Sequence, residues 1–173
     1  MKVFVVYESM FGNTEAIARA VAHGLGAHID VELHDVAEAA LPDGAELIVA
    51  GGPTHAFSLS RPNTRAEAIS QGATHGTKEI GLREWLTQLP RALHSELFAA
   101  FDTRVEKVRR LPGSATTKSG RIARHLGYTP AGHESFYVSG TPGPLVPGEL
   151  ERATDWGAQL ATQLERAQGG TLV

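Results

Sequence analysis

No cysteine occurs among the 173 residues of this chain. That absence excludes a disulfide scaffold, thiol catalysis, Cys-ligated zinc and iron–sulfur clusters, and it accords with a reducing compartment. Long hydrophobic runs are also missing: none approaches the ~20 apolar residues of a membrane span. The run Val3–Tyr7 behind Lys2 stops at Glu8, too short for the apolar region of a secretory signal. A cytoplasmic location is therefore expected. With a net charge of −3, no nucleic-acid partner is expected either. There is no G-x-x-x-x-G-K, which excludes a Walker-type nucleotide site. The nearest approach to a dinucleotide fingerprint, Gly24-Leu25-Gly26, closes a helical pattern and lacks the third glycine.

What remains is the composition of a folded protein, 42% hydrophobic and 20% charged, at a length that suits one core. A single domain over 1–173 is expected. Charge is unevenly spread. From Asp102 to Leu126 seven cations (Arg104, Lys107, Arg109, Arg110, Lys118, Arg121, Arg124) face two anions, Asp102 and Glu106. The rest of the chain is acidic. Such a stretch is either a binding surface or a solvated helix face.

Two periods alternate along the chain. Val3–Tyr7 and Leu47–Gly52 are continuous apolar runs, as strands buried on both faces read. Ile29, Val31 and Leu33 alternate with polar neighbours, which predicts an edge strand. Further strands are expected at Leu97–Phe101, with a possible continuation to Val105, and at Glu134–Ser139. Helical spacing links Ile17, Ala18, Val21 and Leu25 before Gly26, then Leu82, Trp85, Leu86 and Leu89, then Ile122, Ala123 and Leu126 in a helix from about Ser114. A last stripe joins Leu150, Ala153, Gly157, Leu160 and Leu164. Five strands interleaved with helices predict a doubly wound α/β domain with a parallel sheet. Trp85 and Trp156 fall on apolar stripes and are expected in the core. Two long segments follow strands: Pro53 to about Ile80, with a helical turn at Thr64–Ser70, and Asp102–Pro112. Both belong at the carboxyl edge of the sheet, where open α/β sheets bind ligands. His28, Asp30, Glu32 and His34 share the polar side of the edge strand, as edge strands require to discourage pairing, and no metal is expected there.

The most informative segment is Ser9-Met10-Phe11-Gly12-Asn13-Thr14. A buried strand ends and a turn leads straight into a helix. The unpaired N–H groups and positive dipole end of that helix suit a phosphate, with Ser9 and Thr14 hydroxyls and the Asn13 amide as further donors. The alternative is that these side chains merely cap the helix.

From Val5 to Val21 the chain matches the flavodoxin signature at Val5, Val6, Tyr7, Ser9, Gly12, Thr14, Ala18 and Val21, and the element order across the whole chain resembles a flavodoxin. The resemblance implies a five-stranded parallel sheet in the order 2-1-3-4-5 and a bound FMN. It places the phosphate on Ser9–Thr14, one ring loop at Pro53-Thr54-His55-Ala56-Phe57, and a second beginning at Asp102-Thr103-Arg104. Gly113-Ser114-Ala115 is a further, weaker candidate for approach to the cofactor.

Two departures from the flavodoxin pattern bear on function. The segment Asp102–Pro112 has no aromatic residue to stack on a flavin. Stacking then falls to Phe11, His55 or Phe57, or one ring face stays open. Phe57 is otherwise a residue packed beneath its own loop, and His55 an ordinary loop histidine. The same segment is basic, whereas flavodoxins are acidic, which predicts a less negative potential for the fully reduced flavin. Residues 58–79, with Arg61 and Arg65, are read as a lid or recognition surface. The expected function is electron transfer through non-covalently bound FMN, with no catalytic side chain, between a redox partner protein or a small-molecule donor or acceptor. The alternatives are an FMN-dependent NAD(P)H/quinone-type oxidoreductase and a binding module that has lost FMN. The sequence leaves the oligomeric state open.

Overall fold

A computed structural model describes residues 1–94 and 96–169. In chain order the elements are β1 (Lys2–Tyr7), α1 (Asn13–Leu25), β2 (Asp30–Asp35), β3 (Leu47–His55), β4 (Ser58–Leu59), α2 (Pro62–Ser70), α3 (Leu82–Gln88), β5 (Leu97–Val105), α4 (Ala115–His125), β6 (Thr129–Val138) and α5 (Glu149–Gly169). The sheet runs β2-β1-β3-β5-β6, and those neighbours pair in parallel. The expected order 2-1-3-4-5 counts five strands. The short β4 pairs antiparallel with the end of β3, off the main path, so the strands beyond it carry higher numbers.

Alternation along the strands divides the core into two layers. Val3, Val5, Val49 and Phe101 pack with Ile17, Val21 and Leu25 of α1 and with Ala153, Trp156 and Leu160 of α5. Phe4, Val6, Ile48 and Phe98 pack on the other face with Leu82, Trp85 and Leu86 of α3 and Ala115 and Ala123 of α4. Both tryptophans are core residues, and β2 lies at the sheet edge as its half-polar pattern requires. No helix among the described residues is long and apolar enough to cross a membrane.

Three expectations are revised. First, the segment after the fourth strand does not begin at Asp102: β5 takes the continuation to Val105, so Asp102, Thr103 and Arg104 are strand residues and are buried. Second, β6 begins at Thr129 rather than Glu134. Pro130 and Gly132 mask its start in the sequence, yet both are tolerated at an edge strand. A register shift between Phe98 and Ala99 absorbs the irregularity. Third, the polar residues around β2 do not share one side: His28 bonds Glu165 of α5, whereas His34 stacks on Phe4, on the opposite face.

α1 and α5 touch backbone to backbone. A Cβ on Gly24 would lie 2.0 Å from the Thr154 carbonyl oxygen, and one on Gly157 would lie 2.3 Å from that of Val21. In a solvated helix, Gly→Ala stabilises by roughly 1 kcal/mol. At this crossing the sign should reverse. Gly157→Ala is expected to destabilise the protein by about 1–3 kcal/mol through overpacking, measured by urea unfolding. A neutral or stabilising result would contradict the close crossing.

Candidate functional site

At the carboxyl end of β1 the chain turns through Glu8–Gly12 into α1. The Glu8 N–H still donates to the Gly51 carbonyl of β3, but its side chain is buried elsewhere. Glu8 Oε1 accepts from Ser60 Oγ at 2.5 Å and Oε2 from the Leu82 N–H at 2.7 Å. Desolvation pushes this carboxyl's pKa up, opposed by the Ser60 and Leu82 hydrogen bonds and by the Arg65 charge. Arg65, with no exposed surface, donates from Nη1 to Ser60 Oγ, from Nε to the Lys78 carbonyl and from Nη2 to that of Glu79. It also pairs with Glu84 at 3.0 Å. This corrects the reading of residues 58–79 as a lid, and of Arg65 as part of a recognition surface: Arg65 is an internal anchor, whereas Arg61 is exposed. The segment is pinned to the end of β1, and a free lid could not leave such groups unpaired.

Gly12 is the N-cap of α1, with φ +87°, and no side chain caps the helix. Ser9 Oγ accepts from the Gly12 N–H instead. The Asn13 amide donates to the Pro142 carbonyl. The Thr14 hydroxyl shares a 2.7 Å hydrogen bond with that of Thr103. The capping alternative is therefore not realised among the described residues, and the first-turn N–H groups of α1, which have no intrahelical acceptor, lack a side-chain partner among them.

These groups border a cleft of about 90 Å³. Met10, Phe11, Asn13 and Thr14 form one wall, Pro53, Thr54 and His55 of β3 the second, and Thr103, Arg104 and Val105 of β5 the third; Val138 and Thr141 close it. A second hollow of about 250 Å³, lined by Ala56, Thr64 and Glu67 among others, shares Thr54, His55 and Thr141 with it. The Arg104 Nη2 donates to the Val108 and Leu111 carbonyls and so shapes the loop after β5. Its Nε is buried without a partner among the described residues. The cleft thus combines a helix N-terminus, two hydroxyls and a fixed cation, a set suited to an anion.

β3 and β4 are joined by a two-residue turn, Ala56-Phe57, since His55 pairs with Ser58. Both turn residues have positive φ, +46° and +62°. Neither is glycine, so each costs about 1–2 kcal/mol. The turn is held by its neighbours: the Thr54 hydroxyl accepts from the Ala115 N–H, and Gly113 packs so closely on Phe57 that a Cβ there would lie 2.7 Å from the Phe57 carbonyl oxygen. His55 lines the cleft, with Nδ1 3.1 Å from the Thr64 hydroxyl. Burial, aided by the Arg65 charge, pushes its pKa down to about 4, so the imidazole is neutral at pH 7.

The anticipated residues separate into two groups. Met10, Phe11, Asn13, Thr14, Pro53, Thr54, His55, Thr103 and Arg104 meet at the cleft, and Ala56 at the adjoining hollow. Ser9 and Gly12 shape the turn from behind. Asp102 lies under α4, where Oδ2 accepts from the Thr116 N–H while Oδ1 is unpartnered among the described residues. Ser114 caps that helix by accepting from the Thr117 N–H. Phe57, 47% exposed, stands at the hairpin tip outside the lining. The aromatic rings at the cleft are those of Phe11 and His55. Sequence reasoning missed Val138 and Thr141, although the end of β6 belongs to the same sheet edge. It also missed His75, whose N–H donates to the Met10 carbonyl and whose ring lies 3.4 Å from where a Cβ on Gly12 would sit.

No family model matches the sequence, and no curated protein is significantly similar to it. Solved structures are similar in fold. A flavodoxin from the domain Archaea aligns over 95% of this chain and 99% of its own, with a TM-score of 0.64 at 20% identity. The two-electron reduced flavodoxin from Megasphaera elsdenii aligns over 92% and 98%, with a TM-score of 0.61 at 18% identity. The diflavin flavoprotein A3 from Nostoc sp. aligns over 99% and 97%, with a TM-score of 0.58 at 14% identity. The fold is flavodoxin-like.

The His55 shift has a pH consequence of definite sign. In the unfolded chain the imidazole takes up a proton below about 6.5, whereas in the folded protein it does so only near 4. Its contribution is fully present above pH 6.5 and is lost as pH falls toward 4, on the order of 3 kcal/mol at most. Urea unfolding of the wild type and His55→Asn at pH 7 and pH 4.5 checks this: the variant should lose less stability on acidification, and equal losses would contradict it.

Proposed function

We propose that the protein is an FMN-binding electron-transfer protein, with residues 1–173 acting as one flavodoxin-like domain in the cytoplasm. The observation that carries this reading is the side-chain-free N-terminus of α1 opening on a cleft walled by Thr14, Thr103 and Arg104. The residues present fit the cofactor. The Thr14–Thr103 pair has two hydroxyl protons and uses one in its mutual bond, so the other is free to meet a phosphate. The buried Arg104 Nε, without a partner among the described residues, likewise suits an anionic ligand.

In this reading the Ser9–Thr14 turn holds the phosphate. His55 with its strained hairpin, and the end of β5, would hold the flavin ring. FMN supplies the one- and two-electron chemistry. The chain's residues bind, orient and set the local field, and none is required as an acid or base. The electron donor and acceptor are a redox partner protein or a small molecule. One observation favours the alternative of an FMN-dependent NAD(P)H/quinone-type oxidoreductase: the loop after β5 exposes Lys107, Arg109 and Arg110 and offers no aromatic cover, so a small anionic substrate could approach.

Two measurements test the proposal. Titrating the protein with FMN should quench flavin fluorescence to saturation at one equivalent, and Thr14→Val should weaken binding by about 10-fold or more, the loss of one hydrogen bond to a charged group. Absence of saturable binding would overturn the proposal. The second reads the field. A cation ~5 Å from the ring stabilises the reduced anion by a kcal/mol or more at an effective dielectric of ~20, and each kcal/mol is worth about 43 mV in a one-electron step. Arg104→Gln is therefore expected to move the potential of bound FMN tens of mV more negative. Arg104→Lys, which keeps the charge but not the fork, should move it less. Equal potentials in all three proteins would contradict an electrostatic role.

A further inference from the structure

A separate cavity, of about 190 Å³, lies between α4 and strands β5 and β6 and shares no lining residue with the cleft. Its floor is apolar: Phe98 and Ala100 of β5, Ala123 of α4, and Pro130 at the start of β6. The hydroxyls that line it are already engaged. The Tyr128 hydroxyl donates to the Pro90 carbonyl, and the Thr116 and Thr117 hydroxyls both bond Ser114 Oγ. Gly120 of α4 lines the cavity, and a Cβ built there meets nothing within 4 Å. A glycine inside a helix costs about 1 kcal/mol relative to alanine, and here it leaves the space beside it unfilled.

Two cationic or ionisable side chains, Arg124 and His133, line the mouth. Both are exposed, and neither side chain makes a hydrogen bond or ion pair with the described residues. An engineered apolar cavity of about 150 Å³ holds benzene, so this one has room for a single aromatic ring. An unpaired guanidinium at the rim of an apolar cavity complements a carboxylate attached to such a ring.

We propose that this cavity is a binding site for a monocyclic aromatic carboxylate, with the ring under Gly120 and the carboxylate at Arg124 and His133. The site is separate from the flavin reading and stands or falls without it.

The probe is benzoate, with benzyl alcohol as the uncharged control, in ligand-observed NMR and calorimetry on the whole chain. Benzoate should bind saturably, and tighter than benzyl alcohol by about 5-fold or more. Gly120→Leu, which fills the space, should abolish benzoate binding while keeping or raising thermal stability. Arg124→Gln should weaken benzoate to the level of benzyl alcohol. FMN titration should be unchanged in both variants. No benzoate binding at about 10 mM, binding that survives Gly120→Leu, or equal affinity for the two probes would each overturn the proposal. A loss of FMN binding with benzoate binding intact would bear on the flavin reading alone.

Discussion

α1 begins from Gly12 in a left-handed conformation, φ +87°, and this one backbone choice decides what the carboxyl edge of the sheet can do. A Ser, Asp or Asn at an N-cap turns its side chain onto the second or third N–H of the helix and stabilises it by about 1 kcal/mol. Glycine has nothing to turn. The helix forgoes the cap, its dipole end stays open, and the chain reaches Ser9 and Met10 in a turn tight enough for the Ser9 hydroxyl to meet the Gly12 N–H. Stability comes instead from the apolar stripe Ile17, Ala18, Val21 and Leu25, wholly buried, and from the glycine crossing with α5. A helix held so firmly along its length can leave its first turn available to a ligand.

The position of that turn is set from below by Glu8. One carboxylate joins three separate pieces of chain: the end of β1, Ser60 after β4, and the first N–H of α3. Arg65 extends the network to Lys78, Glu79 and Glu84. Burying these charges is costly, and the cost is met only while every partner is in place. The segment between β3 and α3 is therefore ordered by internal polar groups, and its hairpin presents His55 to the cleft as a neutral ring. The cation lining the cleft among the described residues is Arg104, buried near the end of β5. The site consequently has a neutral wall at β3 and a positively charged one at β5.

Much of this was legible in the sequence because it depends on local rules. Continuous apolar runs at Val3–Tyr7 and Leu47–Gly52 identified strands with two buried faces, and the 3.6-residue spacing of α1 and α5 identified their inner sides. The Ser9–Thr14 turn stood out because a strand, a glycine and a helix start occur in immediate succession. What escaped is non-local. At Asp102 the sequence left strand and loop both open; β5 continues through it, because β6 extends alongside as far as Val138. Arg65 looked like a surface cation because its partners, Ser60, Lys78, Glu79 and Glu84, lie outside its own helix. Phe57 looked like a ring contact; that it sits at a hairpin tip depends on the pairing of His55 with Ser58 and on the packing of Gly113 against it. His75 carries no signal near the turn it covers.

The central claim is that the open first turn of α1 supplies most of the grip on a phosphate. Comparing the affinities of FMN and riboflavin, which differ by that phosphate alone, tests it most directly. Two or more hydrogen bonds to a charged group are worth about 3 kcal/mol or more, so FMN should bind at least about 100-fold tighter than riboflavin at moderate ionic strength. Equal affinities for the two flavins would contradict the account.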